Sequence, residues 1–262
     1  MIWRGKNEKD WIFNDGFIGN ACIAGCRLWR FTGSSQEGRN GKGTEPAFAP
    51  FEFQKEGSDE FTGFDMDLIR AIGTKLGYKV EISSMGFDAL IPALNSGNID
   101  VAIAGMSITD ERKKVVVFSD PYYTSGLIVM VKKDDDTIKG FSDLEGKRIA
   151  VQIGTTGANK AGEVKNAKVT AFNDNTAAAM ELKNGGADAV INDSPVLKYY
   201  LQQGGSADAK VVGAVMNSED YGIAVKKGND KLAAEINKAL AEMKQNGEYD
   251  KLYKTWFGEE KK

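Results

Sequence analysis

The sequence predicts an α/β protein of two similar lobes that face one cleft, and three observations carry that expectation. Residues 101–104, Val-Ala-Ile-Ala, form an unbroken small-apolar run, the pattern of a parallel strand buried on both faces. Amphipathic helical stretches alternate with short apolar stretches from residue 44 onward, as in a sheet flanked by helices. Finally, ALNSGNIDVA (93–102) is echoed by ELKNGGADAV (181–190), with Leu, Gly and Asp at matching places 88 residues apart. In both copies a helix ends at Gly and feeds a buried strand whose far end is polar: Gly105 and Ser107 in one, Asn192 and Asp193 in the other. Helix-turn-strand units also resemble one another by chance, but two lobes presenting strand ends to a shared cleft is the simpler reading.

Composition narrows the chemistry. A chain of 262 residues with 42% apolar and 27% charged content is an ordinary soluble globular protein, long enough for two domains. A net charge of −3 gives no basic field for nucleic acid. Histidine is absent, which removes the commonest general base and metal ligand and argues against triad hydrolases and zinc enzymes. Nothing in the residues calls for a cofactor or metal.

Residues 1–42 differ from the rest, with both cysteines, Cys22 and Cys26, and three of the four tryptophans. Ile23-Ala24-Gly25-Cys26 resembles the lipobox of bacterial lipoproteins, which makes Cys26 the candidate lipidation site and Arg4, Lys6 and Lys9 a basic leader region. Asn14, Asp15 and Asn20 interrupt the apolar stretch such a leader needs, so an accidental match remains the alternative. Residues 1–42 are expected to be a lipoprotein-like leader or an aberrant segment without ordered structure, and their end, residues 32–43, is polar and Gly-rich. No other stretch is apolar and long enough to span a membrane.

From residue 44 the elements follow in order. Residues 44–53 are a Pro-broken aromatic segment running into a strand. Asp65 to Leu76 is an amphipathic helix with Leu68, Ile69, Ile72 and Leu76 inward and Gly77 as its stop. Val80–Ile82 alternates as a short strand, and Asp88 is a candidate cap for a helix carrying Leu90, Ile91 and Leu94. The run 101–104 stops at Gly105, and Thr109 is the expected N-cap of a helix with Asp110 and Glu111 in its first turn and Arg112 just inside. Val115–Phe118 and Leu127–Val131 are strand candidates around Asp120–Gly126. Ile149–Val151 is a strand running into Gln152-Ile153-Gly154-Thr155-Thr156-Gly157, a loop-to-helix junction suited to an anion. Residues 188–191 form another buried-type strand, and amphipathic helices cover 230–247 and the aromatic stretch from Tyr249 to Phe257.

In an open α/β sheet, ligands bind beyond the carboxyl ends of the strands. Arg112 can grip a carboxylate through two parallel hydrogen bonds, with Ser107 and the Thr155–Thr156 amides beside it. Asp193 offers an anion for an ammonium. Those are the two ends of an α-amino acid, and Phe48 and Phe87 would wall its side chain. Each Phe could equally be plain core, and Arg112 a surface residue on an ordinary helix.

GTEPAFAPFEF, TGFDMDLIRAIG, AIAGMSITDERKK, FSDPYYTSGL and NGEYDKLYKTWFG, in this order between about Gly43 and Gly258, resemble the polar-amino-acid solute-binding proteins of bacterial ABC importers. The resemblance implies a periplasmic-binding-protein-like fold, each lobe a mostly parallel sheet flanked by helices, joined by two short hinge crossings near Tyr122–Gly126 and Asn217–Tyr221. It implies lobe 1 at 43–122 with a return at 222–262, and lobe 2 at 127–217. It gives Arg112 and Ser107, with the Thr156 amide, to the ligand's α-carboxylate, and Asp193, with the Gly105 carbonyl, to its α-ammonium. Phe48 and Phe87 sandwich the side chain, and Glu45, Gln152 and Asn192 line its far end. The implied protein is an extracytoplasmic monomer, periplasmic or lipid-anchored at the cell surface, that delivers a small amino acid to an ABC permease and is not an enzyme.

Two departures matter. Where the family has an apolar first strand, this chain reads Glu37-Gly38-Arg39-Asn40-Gly41-Lys42, which cannot pack as a central strand and suggests a frameshifted leader. The glutamine-type pattern sets a Lys at the place of Gln152 against an acid at the place of Glu45; here Glu45 has no evident basic partner. A ligand carrying its own cation would supply one, so arginine, then lysine, is favoured over glutamine. Two other uses of the scaffold compete: a dehydratase or glycan-cleaving enzyme, which the absence of His and of a carboxylate pair disfavours, and a receptor's sensing domain, which the absence of a membrane span disfavours.

Overall fold

The computed structural model describes residues 2–3, 6–7, 48–54, 57–58 and 60–258. In chain order the strands are β1 (Ile2–Trp3), β2 (Lys6–Asn7), β3 (Phe53–Gln54), β4 (Phe61–Thr62), β5 (Tyr78–Lys79), β6 (Ile82–Ser83), β7 (Val101–Ala102), β8 (Val116–Phe118), β9 (Tyr123–Lys132), β10 (Arg148–Gln152), β11 (Lys168–Phe172), β12 (Ala189–Asp193), β13 (Ala209–Tyr221) and β14 (Ala224–Lys226). The helices are α1 (Phe64–Leu76), α2 (Leu90–Ser96), α3 (Asp110–Lys113), α4 (Thr156–Gly162), α5 (Asn175–Asn184), α6 (Ser194–Gln202), α7 (Asp230–Gln245) and α8 (Glu248–Phe257).

Two five-stranded sheets organise the molecule, one in the order β6-β1-β7-β14-β8 and the other β11-β10-β12-β9-β13. The chain passes from the first sheet to the second through β9 and returns through β13, so the crossings form an antiparallel ribbon in which Tyr123, Thr124 and Ser125 face Tyr221, Asp220 and Glu219. Two register shifts interrupt β13 between Val212 and Glu219.

The two-lobed α/β architecture is as expected, but parallel pairing does not predominate in the first lobe. There β1 lies antiparallel to β6 and β7, and β14 antiparallel to β7 and β8. Strands β6, β7 and β8 do run the same way, as a helical crossover requires. The strands between them, however, arrive from far away in sequence, one from the chain start and one from the return crossing. In the second lobe β10 pairs in parallel with β11 and β12, while β9 and β13 add antiparallel strands.

The central slot that residues 37–42 cannot fill is taken by Ile2–Trp3. An empty slot would leave the facing backbone groups of β6 and β7 unpaired inside the sheet. Residues 2–3 and 6–7 thus form strands within a segment expected to be a disordered leader. Cys26 and its neighbours lie outside the described residues.

The paired echo has a common local cause. Gly97 and Gly185 both cap their helices in the left-handed conformation (φ 75° and 83°), a geometry that favours a residue without Cβ. Each turn then feeds a buried strand inside its sheet, β7 or β12. Asp88 does not cap α2; it sits within a 3₁₀ turn, Phe87–Ala89, that leads into the helix.

Helix α8 docks on the first lobe through aromatic rings. Phe64, fully buried at the start of α1, meets Tyr249, Tyr253 and Phe257 edge-on at 5.8, 6.3 and 5.2 Å between centroids. It also contacts Tyr122 and Tyr123 at the first crossing. One side chain therefore ties α1, α8 and the hinge together. Phe64→Ala is expected to destabilise the protein by about 3–5 kcal/mol, read by chemical denaturation, since an aromatic truncated in a dense core leaves a cavity.

Candidate ligand-binding site

The site is built where the ends of β7 and β12 meet across the crossings. After β7 the chain makes a left-handed turn at Gly105 (φ 53°), where a side chain would collide with the ring of Phe48. The turn is fixed from behind. Asp65 accepts from the Gly105 amide (2.9 Å) and from the Tyr122 hydroxyl (2.9 Å). Asp65 is wholly buried, and its other carboxyl oxygen has no partner among the described residues. Burial, then the nearby Glu52 charge, push its pKa up to about 8, against the two hydrogen bonds that lower it.

Thr109 caps α3 as expected, its hydroxyl accepting from the Arg112 amide at 3.2 Å. The cap sets Arg112 on the first turn, from which its guanidinium reaches the seam between lobes. It donates to the Ser107 carbonyl at 2.6 Å on its own side and to the Gly154 carbonyl at 3.0 Å on the other. The guanidinium also lies 5.2 Å from the centre of the Phe87 ring, within cation–π range. Burial lowers the Arg112 pKa, while Glu219 and Asp193 raise it.

From the second lobe, Thr155 caps α4 by accepting from the Ala158 amide, which places Thr156 on the seam. Asp193 ends β12 and accepts from Tyr221 (2.6 Å) and Ser125 (3.1 Å), one residue from each crossing. Burial pushes its pKa up to about 7, with the Glu219 charge adding to the rise and the hydroxyl bonds and Arg112 opposing it.

Gln152 and Asn192 are buried at the ends of β10 and β12. Gln152 donates to the Asn173 carbonyl and Asn192 to the Asn175 side chain. The carbonyl oxygen of each is buried without a partner among the described residues. Two orphan acceptors are costly unless something donates to them. Phe48 is buried against Gly105 and Phe51, and Phe87 is half-buried beneath Arg112 and beside Gly154.

The structure thus brings Ser107, Arg112, Thr156 and Asp193 to one seam and sets Phe48, Phe87 and Gly105 around it. Glu45 lies outside the described residues. Sequence reasoning missed Tyr221, Ser125, Glu219 and Asp65. The first three lie in the two crossings, where polar and aromatic side chains in hinge segments were the only available signal. A cavity of about 950 Å³ borders the seam at Ser107, Thr156 and Glu219, and its described lining does not reach Phe48, Phe87 or Asp193. Among the described residues no helix is long and apolar enough to cross a membrane, and no acidic, His or Cys cluster could hold a metal ion.

Two lobes on a double hinge, with a cation and an anion held at their seam, define a binding protein that closes on a small zwitterion. The chain belongs to the bacterial extracellular solute-binding proteins, family 3, whose model matches residues 42–259. It is 37% identical over 251 residues to the arginine-binding extracellular protein ArtP of Bacillus subtilis (strain 168), covering 91% of this chain and 97% of that one. Among solved structures it is similar, at 50% identity, to an ancestral arginine-binding protein bound to arginine (TM-score 0.79, 82% of this chain and 96% of that one). The ancestral arginine-binding protein bound to glutamine aligns at the same identity (TM-score 0.76, 82% and 96%).

The two raised acids give stability a pH signature. Their native pKa values, about 8 and about 7, lie above the ordinary 3.8, so the folded state holds protons the unfolded chain releases. The ligand-free protein should therefore lose stability as pH rises from about 4 to 8 and level off above. Asp65→Asn removes one of these protons. Between pH 5 and pH 8, denaturant titrations should show it losing less stability than wild type, by on the order of 2 kcal/mol.

Proposed function

We propose that the protein is an extracytoplasmic receptor that captures arginine between its lobes and delivers it to an ABC permease. The observation that carries the choice of ligand is the pair of orphan acceptors, Gln152 Oε1 and Asn192 Oδ1, buried behind the seam. A guanidinium presents five N–H donors, a glutamine amide two together with a carbonyl that would face these acceptors. Glu45, three residues before Phe48, adds a carboxylate to the same end of the site. Lysine fits the charge with fewer donors. Glutamine, bound by a similar ancestral protein, is the competing ligand.

At the other end Arg112 and Ser107, with the Thr156 amide, take the α-carboxylate, and Asp193 with the Gly105 carbonyl takes the α-ammonium. A ligand ammonium beside Asp193 favours its ionised form, so arginine binding should weaken as pH falls below about 7. Phe48 and Phe87 flank the side chain between them. Residues 43–122 with 222–262 form one closing body and 127–217 the other. Lipidation at Cys26 would make that residue the N-terminus and cost the first sheet its strand Ile2–Trp3, so the fold does not support a lipid anchor there. The receptor acts as a monomer.

Arg112→Ala leaves a ligand carboxylate without its cation. Calorimetry with arginine should show affinity lowered at least about 30-fold with the fold intact, and Arg112→Lys should also weaken binding because the two-pronged geometry is lost. Binding within a few-fold of wild type would remove Arg112 from the site. Glu45→Gln should lower arginine affinity by about 2 kcal/mol or more and leave glutamine equal or tighter. Tight glutamine binding by wild type, with none for arginine, would overturn the ligand assignment.

A further inference from the structure

The crossings hold an acid to which the two-lobe reading gives no role. Glu219 lies in β13 opposite Ser125 of β9, directly after an irregularity in the strand where Asn217 adopts a positive φ of 50°. Such irregularities re-aim side chains, and here the Glu219 carboxylate reaches the seam. A single oxygen, Oε2, accepts from the Ser107 hydroxyl at 2.6 Å and from the Thr156 hydroxyl at 2.6 Å. Ser107 follows β7 in the first lobe, whereas Thr156 opens α4 in the second. Glu219 itself belongs to the ribbon that joins them.

We propose that Glu219 is a hinge-borne clasp, a positioning residue that holds the lobes closed by bridging Ser107 and Thr156. The inference rests on the amino-acid-binding reading for its purpose, but its geometry does not depend on the ligand.

Proton counting sharpens the consequence. A hydroxyl carries one proton, so it donates to one acceptor at a time. With both hydroxyl protons directed at Glu219, a ligand carboxylate meets Arg112 and the Thr156 amide rather than the two side-chain hydroxyls. This narrows the part proposed for Ser107 at the α-carboxylate to an indirect one: its carbonyl orients the Arg112 guanidinium, and its hydroxyl belongs to the clasp. Charge-assisted O–H···O⁻ bonds are short and about twice as strong as neutral ones. Opening the cleft separates the two hydroxyls, so Glu219 can keep at most one. The second bond exists only in the closed form, and only such a difference between states shifts an equilibrium. Because Glu219 is half-buried and lines the 950 Å³ cavity beside the seam, water can solvate its carboxylate once the clasp opens.

The test uses the full chain with Glu219→Ala and Glu219→Gln, L-arginine as the probe, stopped-flow release kinetics and small-angle scattering without ligand. Glu219→Ala should release arginine about 10-fold faster, with association changed less than about 2-fold, and should show a larger ligand-free radius of gyration than wild type. Glu219→Gln should stay within about 3-fold of wild type, because its amide oxygen can still accept both hydroxyls. Release from Glu219→Ala that is unchanged or slower would overturn the clasp and make the carboxylate a competitor of the ligand. If wild type binds no amino acid, the transport reading fails on its own, and the scattering decides the clasp: a ligand-free radius unchanged by Glu219→Ala overturns it, and a larger one upholds it.

Discussion

A half-buried guanidinium at the seam between two lobes has to be surrounded by partners, and the arrangement of both lobes follows from how this is done for Arg112. Burial works against its charge, and the structure answers with four partners of different kinds. Two are carbonyls, Ser107 and Gly154, one from each lobe. One is the face of Phe87. The fourth is the field of Glu219 and Asp193, which favours the cation. Arg112 thereby bridges the lobes, since its bond to Gly154 can form only when they approach. A zwitterion adds one charge of each sign to this cluster and leaves its net charge unchanged, which suits a site that must close in low dielectric.

The same economy of charge appears behind Gly105. Asp65 holds the turn there through the amide, which would fix the Gly105 carbonyl for the proposed ligand ammonium. An ionised acid there would compete for the ammonium and would itself lack enough donors. With its pKa raised to about 8, Asp65 is mostly neutral at pH 7 and acts as a hydrogen-bonding brace rather than a charge. Tyr122 and Tyr221 divide the acids between them, one on Asp65 and the other on Asp193. Both tyrosines belong to the crossings, so a displacement of either strand would be felt at Asp65 and Asp193, the acids they hold.

How much of this could be read from the sequence depended on distance along the chain. Thr109, three residues before Arg112, and the glycine stops at 97 and 185 were legible because a cap or a turn is settled by neighbours. The echo between 93–102 and 181–190 exposed two equivalent strand ends for the same reason. Parallel pairing was over-read: an apolar run such as 101–104 reports burial on both faces, and helices over an antiparallel neighbour produce that burial as well as helices over a parallel one. Strand β11 was invisible because it is exposed along most of its length, and β13 because its pairing is broken by bulges. Glu219 was out of reach altogether. Its two partners lie 112 and 63 residues away, and nothing local distinguishes it from the acids around it.

The far end of the site follows a different logic from the seam. Charges there would have to be paired in every state of the protein, whereas Gln152 and Asn192 contribute neutral oxygens that tolerate being left alone at a cost of about 1–3 kcal/mol each. A ligand with donors in two directions, like an ordered water, removes that cost, so on the proposed reading the pocket would favour side chains by donor count as well as by charge. On this reading a guanidinium satisfies both oxygens and still has N–H groups for Glu45, an ammonium satisfies three acceptors in a less planar geometry, and an amide must turn its own carbonyl toward an acceptor. Neutral acceptors also explain how a similar site could admit glutamine at all. The penalty for presenting a carbonyl to an amide oxygen is smaller than that for burying an unpaired charge, so on the proposed reading the choice between the two amino acids would rest chiefly on Glu45 rather than on the whole wall.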